Sequence, residues 1–163
     1  MGHWRTMNAS DDILIRPDDL TGQATRALVA AHLSGMHAAS PACSVHALDI
    51  DALRDPSVSF WSAWIAGEIA GIGALKRRDA HRGELKSMRT AERSLGRGVG
   101  RALLRRIMAE AAAAGMSSLW LETGTTEEFA AARHLYASEG FVVCGPFDDY
   151  VPDPFSTFMT REL

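Results

Sequence analysis

The sequence predicts a mixed α/β fold of the α+β kind, a largely antiparallel sheet with helices packed against it, and three observations lead there. Residues 58–90 hold three strand-like runs separated by short turns, the pattern of an antiparallel meander. Two helical patterns follow, split by the apolar run "SSLWLET", so helix and strand alternate through the second half. Finally, 163 residues that are 47% hydrophobic and 23% charged can bury one core, which predicts a single domain over residues 1–163.

Taken in order, "ILIR" at residues 13–16 reads as a short strand stopped by Pro17. Asp18 or Asp19 can then cap a helix carrying Leu28, Val29, Leu33 and Met36 at near-helical spacing. A short helix is expected around "ALDIDAL". The meander follows as "VSFWSAWIA", "EIAGIGALK" and "GELKSMRT". Trp61 and Trp64 fall on opposite faces of the first run, so at least one belongs to the core. The next helix gathers Leu103, Leu104, Ile107, Met108 and Ala111 on one side and is closed by Gly115. After "SSLWLET", Thr125 and Glu128 form a capping box for a helix through Ser138. Gly140 ends that helix, and "FVVCG" and "STFMTREL" supply the last two strands. The predicted order is β-α-α-β-β-β-α-β-α-β-β.

Several function classes are excluded early. A net charge of −3 argues against general nucleic-acid binding, which calls for a basic face. No apolar run approaches the ~18 residues of a membrane span, and the polar opening "MGHWRTMNASDD" is not a signal peptide. Cys43 and Cys144 lie far apart without CxxC spacing. They predict no zinc or other metal site, only two buried thiols of a cytoplasmic protein.

The stretch "RSLGRGVGRALLRRIM" carries the chemistry. Gly96, Gly98 and Gly100 stand at a helix entrance among Arg93, Arg97 and Arg101. A helix N-terminus exposes unpaired N–H groups and about half a positive charge, and glycines let an anion approach without meeting a Cβ. The spacing fits two common phosphate motifs badly. A P-loop needs G-K-S/T, whereas Gly100 is followed by Arg101 and Ala102. The dinucleotide fingerprint G-x-G-x-x-G belongs on the first turn of a βαβ unit, whereas G-x-G-x-G here follows a third meander strand. Arg105 and Arg106 read as a solvated helix face.

With "ELKSMRTAERSLGRGVGRALL" followed by "LYASEGF", the chain resembles the GNAT superfamily of acetyl-CoA-dependent N-acetyltransferases. Leu95-Gly96-Arg97-Gly98-Val99-Gly100 takes the place of the family's Q/R-x-x-G-x-G/A motif. Ala132 through Tyr136 to Gly140-Phe141 takes that of a second motif, and the resemblance spans roughly residues 58–145. It implies acetyl-CoA as co-substrate, with its pyrophosphate on the glycine turn and with Arg93, Arg97 and Arg101 as candidates for the pyrophosphate or 3′-phosphate. Met88, Arg89 and Thr90 would run along the pantetheine arm as an added strand, with an oxyanion-stabilising N–H around Met88. The chain departs from the family at Leu95, where Gln or Arg is usual, and at Phe129, where many members carry Asn.

Acetyl transfer needs a base for the ammonium of the acceptor, a donor for the oxyanion and an acid for the leaving thiolate. The resemblance makes Glu84 the base, because several members carry a catalytic glutamate where it opens the strand before the glycine turn. Glu122 on "LWLET" is the reserve. Tyr136 occupies the place from which family members protonate the sulfur. Read from its residues alone, it can equally be a core aromatic sharing a helix face with Phe129.

The expected acceptor is a small-molecule amine, such as an amino acid or a related compound. Its walls are expected from His37, Ser40, Ser44 and His46 and from Asp148-Asp149-Tyr150. Asp148 and Asp149 suit a cationic amine, whereas the histidines and Lys86 suit one bearing a carboxylate. Retention of Glu84 and Tyr136 favours an enzyme over a non-catalytic acyl-CoA-binding sensor or partner module. A protein N-terminal or lysine acetyltransferase is the other alternative. Neither nucleic acid nor membrane is an expected partner, and a homodimer stays open.

Overall fold

The alternating apolar pattern of residues 58–90 becomes a meander at the centre of a seven-stranded sheet, in a computed structural model that describes residues 12–41 and 44–163. Cys43 and residues 1–11 of the polar opening lie outside the described residues. The elements are β1 (Leu14–Pro17), α1 (Gln23–Ala39), α2 (Ile50–Leu53), β2 (Val58–Ile65), β3 (Glu68–Arg77) and β4 (Arg82–Thr90). They continue as α3 (Val99–Ala113), β5 (Ser118–Gly124), α4 (Ala130–Ser138), β6 (Val142–Cys144) and β7 (Ser156–Glu162). This is the predicted order. The sheet runs β1-β2-β3-β4-β5-β7-β6, antiparallel throughout except between β4 and β5.

Two local expectations are corrected. Asp18 and Asp19 do not cap α1: their carboxylates accept the N–H groups of Leu20 and Thr21 and shape the turn before it. The N-cap is Gly22, which has no side chain to offer. Thr125 and Glu128 do not form a capping box either. The Thr125 hydroxyl donates to Pro154 O at 2.9 Å, and the chain passes through a single 3₁₀ turn, Glu127–Phe129, before α4 begins. A contact from the loop before β7 thus overrides a local helix signal.

Apolar side chains are buried on both faces of the sheet. Leu103, Leu104 and Ile107 of α3 pack with Leu75, Leu85, Leu119 and Leu121. Leu28 and Val29 of α1 pack with Leu53, Phe60 and Ile72. Each such side chain contributes about 1.5–3 kcal/mol on burial. Trp61 is core, while Trp64 packs against the α1 cluster beneath the Arg16 guanidinium, as their opposite faces predicted. Cys144 is a half-buried thiol whose pKa is raised by burial.

One irregularity of the sheet shapes the cleft. β4 and β5 pair only from Arg82↔Ser118 to Glu84↔Trp120, and then part. Just beyond, β4 bulges against β3. Ile72 faces Arg89 and Ala74 faces Lys86, so one more residue is threaded on β4, and Ser87 takes φ 55°. The strands open a cleft whose walls are α1, α4 and the turn into α3. Among the described residues no helix is long and apolar enough to cross a membrane.

Candidate active site

The cleft has a large chamber of about 780 Å³ and a small one of about 80 Å³, both walled by His32, Met36, Met88, Phe129, Ala132 and Tyr136. The glycine turn lines the large chamber. Gly96 and Gly98 have φ of 75° and 82°, the left-handed region where a Cβ is strained, and a Cβ added at either would meet no protein atom within 4 Å. The space beside both residues is open. Helix α3 starts without a side-chain cap, and the Ala102 N–H to Gly98 O bond of 3.0 Å leaves the N–H groups of residues 99–101 without helical acceptors. Gly100 has a separate reason to be bare, because a Cβ there would lie 3.2 Å from Leu135. This arrangement fits a diphosphate.

Of the residues expected around the co-substrate, Met88, Arg89, Thr90, Leu95, Gly96, Gly98, Val99, Gly100 and Arg101 line the large chamber. Arg97 is exposed and does not. Arg93 faces Glu68 at 3.6 Å, and Arg101 is tied to Glu139 together with Arg105. Beyond Glu84 the cleft-facing edge of β4 has no strand partner among the described residues, so Met88–Thr90 can accept one.

The two candidate carboxylates have different surroundings. Glu84 is 0% exposed and lines neither chamber. Arg78 donates to its Oε1 through both Nε and Nη2, and the Tyr150 hydroxyl donates to Oε2 at 2.5 Å. Lys86 Nζ lies 3.2 Å from Oε2 and also donates to Tyr150 Oη at 2.8 Å and His46 O at 3.0 Å. Burial lowers the Lys86 pKa. Glu122 stands past the split and lines the small chamber, and burial pushes its pKa up to about 7.

Tyr136 is 6% exposed, packs edge-on to Phe141 at 5.8 Å and presents a face to both chambers. Burial raises its pKa further above the usual phenol value, so the hydroxyl stays protonated. It is both a core aromatic and a wall of the site.

The acceptor walls expected from sequence come together only in part. His46 lines the small chamber, edge-on to Tyr150 at 4.9 Å, and burial lowers its pKa. Ser44 is buried beside Asp153, its hydroxyl donating at 2.6 Å, and lines neither chamber. His37 and Asp149 are exposed and also stay outside, as does Ser40. Asp148 is engaged by Arg82 at 2.9 Å. Tyr150 serves Glu84 rather than the lining. Sequence reasoning missed His32 and Ser87, whose Nδ1 and Oγ are buried in the small chamber without hydrogen-bond partners among the described residues. His32 follows Leu28 by one turn on an apolar helix stripe, a signal that could have found it. Ser87 had no local signal.

A sheet split beside a bare glycine turn at a helix N-terminus is the framework of an acyl-CoA-dependent acyltransferase. Residues 26–141 match the model of the acetyltransferase (GNAT) family, and the chain belongs to that family. It is 51% identical over 149 residues to the uncharacterized N-acetyltransferase YedL of Escherichia coli, spanning 91% of this chain and 94% of that one. It is 42% identical over 124 residues to an IAA acetyltransferase of Azospirillum brasilense, spanning 76% and 80% of the two chains. Among solved structures, a protein of Klebsiella pneumoniae described as an acyl-CoA N-acyltransferase superposes with a TM-score of 0.76 at 27% identity. That match covers 93% of this chain and 97% of the other. The protein is an N-acetyltransferase, and acetyl-CoA is its co-substrate.

Proposed function

We propose that the enzyme moves the acetyl group to the amine of a small molecule by direct attack, with Glu122 as general base and Tyr136 as general acid. One observation carries this reading: both side chains line the same small chamber, one titrating near neutrality and the other held protonated. Acetyl-CoA supplies a thioester carbonyl open to attack. A carboxylate with pKa about 7 is a far better acceptor for an ammonium proton than a solvated one near 4.3. The Tyr136 phenol can give its proton to a thiolate whose conjugate acid lies near 8.5. Glu84 has its oxygens engaged by Arg78, Lys86 and Tyr150, and in this reading it holds that wall instead of serving as base.

The N–H groups of residues 99–101 and the open sides of Gly96 and Gly98 would hold the pyrophosphate, with Arg101 beside them. The free edge of β4 at Met88–Thr90 would hold the pantetheine arm and supply the oxyanion N–H. A chamber of about 80 Å³ suits the amine end of a small molecule, and the Azospirillum relative's named acetyltransferase activity supports a small acceptor. The test is thiol release from acetyl-CoA over a broad panel of amines. Release with at least one small amine is expected. A protein that binds acetyl-CoA and releases no thiol with any of them is a sensor, and the reading fails.

A further inference from the structure

The cations around the cleft divide into those with anionic partners and one without. Lys86 and Arg78 engage Glu84, and Arg101 engages Glu139. Arg89 is half-buried and lines the large chamber, yet among the described residues no carboxylate or hydrogen-bond acceptor is paired with it. Its guanidinium lies against the bare backbone of α1 at Gly35, where an added Cβ would be 2.6 Å from Nη1. A helical glycine costs up to about 1 kcal/mol relative to alanine, and a Cβ at this one would displace the end of the Arg89 side chain.

Direction decides what Arg89 can serve. The Thr90 hydroxyl is 3.6 Å from where a Gly100 Cβ would stand, so Thr90 faces the glycine turn. Successive strand residues point to opposite faces, which turns Arg89 toward α1 and away from the pyrophosphate cradle. One turn before Gly35, on the same helix face, stands His32 with its Nδ1 buried and unpartnered. Burial and the neighbouring Arg89 push its pKa down to about 4, so it is neutral and offers a hydrogen bond without a second charge. His32 also lines the small chamber, where Glu122 sits. The acidic side chains that would have suited a cationic acceptor are elsewhere: Asp148 is engaged by Arg82, and Asp149 is exposed.

We infer that Arg89, seated on Gly35 and flanked by His32, is the carboxylate-recognising subsite of the acceptor, which makes the substrates small amines that carry a carboxylate. The inference rests on the proposed transferase site, with the amine facing Glu122 and the carboxylate facing the guanidinium fork.

The experiment measures thiol release with L-amino acids and with their carboxamides. Amidation keeps the side chain and removes the carboxylate charge. It also lowers the pKa of the amine, which by itself favours the amide, so a preference for the acid is not an amine effect. At least about a tenfold higher kcat/KM is expected for the acid of each pair that is turned over. Arg89→Gln, which keeps the backbone that faces the pantetheine arm, should erase that preference through a raised KM for the acid, a larger change than any in the KM for acetyl-CoA. Gly35→Ala, which keeps the charge and favours the helix but displaces the guanidinium, should shift the same KM in the same direction. Equal use of acid and amide overturns the inference. So does an Arg89→Gln defect larger in the KM for acetyl-CoA than in that for the acid, which would make this a co-substrate contact. If no amine releases thiol, the transferase reading fails separately, and calorimetry of the same pairs on protein saturated with coenzyme A decides this one. Acids that bind the wild type and not Arg89→Gln uphold it, and acids that do not bind overturn it.

Discussion

Glu84 and Glu122 stand on neighbouring strands, on one face of the sheet and two positions apart in register, since Glu84 pairs with Trp120. Glu84 is the last β4 residue still paired to β5, and Glu122 lies just past the split. Where the strands stay together, cations and a phenol close around the carboxylate. Where they part, the carboxylate meets a chamber, and burial dominates its titration. In the proposed mechanism the same side chain holds a wall in one place and takes a proton in the other. What differs is the distance from the end of the ladder.

The sharpest way to break this comparison is Glu122→Gln. Turnover should fall by roughly 10²–10⁴ while acetyl-CoA affinity barely moves. The wild-type kcat/KM should rise with pH through an apparent pKa of about 7, and that limb should vanish in the variant. A near-normal rate in the variant returns the base to water or to Glu84. Stability supplies an independent sign. The folded pKa of about 7 lies above the ordinary 4.5, so between those values the folded state binds more protons. Wild-type stability should therefore decline as pH rises through that window, and the Gln variant should not share this component.

Glu84→Gln should act chiefly on stability, because it leaves Arg78 and Lys86 without their carboxylate. A loss of about 3 kcal/mol is expected, and at 2–4 °C per kcal/mol the melting temperature should fall by roughly 6–12 °C. The fall in kcat of the folded fraction should be smaller than for Glu122→Gln. The reverse ranking would exchange the two roles.

Tyr136→Phe removes only a hydroxyl. Single-turnover acetyl transfer should slow by about one to three decades, with a stability change of about 1 kcal/mol or less. Full activity would leave Tyr136 as a core aromatic alone.

The smallest expected effect concerns the glycine turn. Gly98→Val should weaken acetyl-CoA binding at least about tenfold by calorimetry, since its branches would enter the pyrophosphate's place. Gly67→Val is the control. Gly67 has φ 78° and equally open surroundings in the β2–β3 hairpin, so it shares the backbone strain without touching the cleft. Equal affinity loss in both would reduce the glycine turn to a backbone requirement.

What the sequence by itself determined is whatever a short stretch of backbone carries. The meander of residues 58–90, the apolar stripe of α3 and the order of all the elements depend on periodicities of two and 3.6 residues, which are local. The glycine turn was legible for the same reason, because Gly96 and Gly98 adopt their left-handed conformations within one turn. Only the tertiary structure decided which carboxylate faces the cleft. That choice depends on where β4 bulges at Ser87, a residue with no propensity signal, and on Tyr150 reaching Glu84 across 66 positions of chain. The unpaired state of Arg89 and the orphaned nitrogen of His32 belong to the same category. A side chain's titration and its availability are set by what packs around it, and those neighbours are brought together by burial of the core rather than by adjacency along the chain.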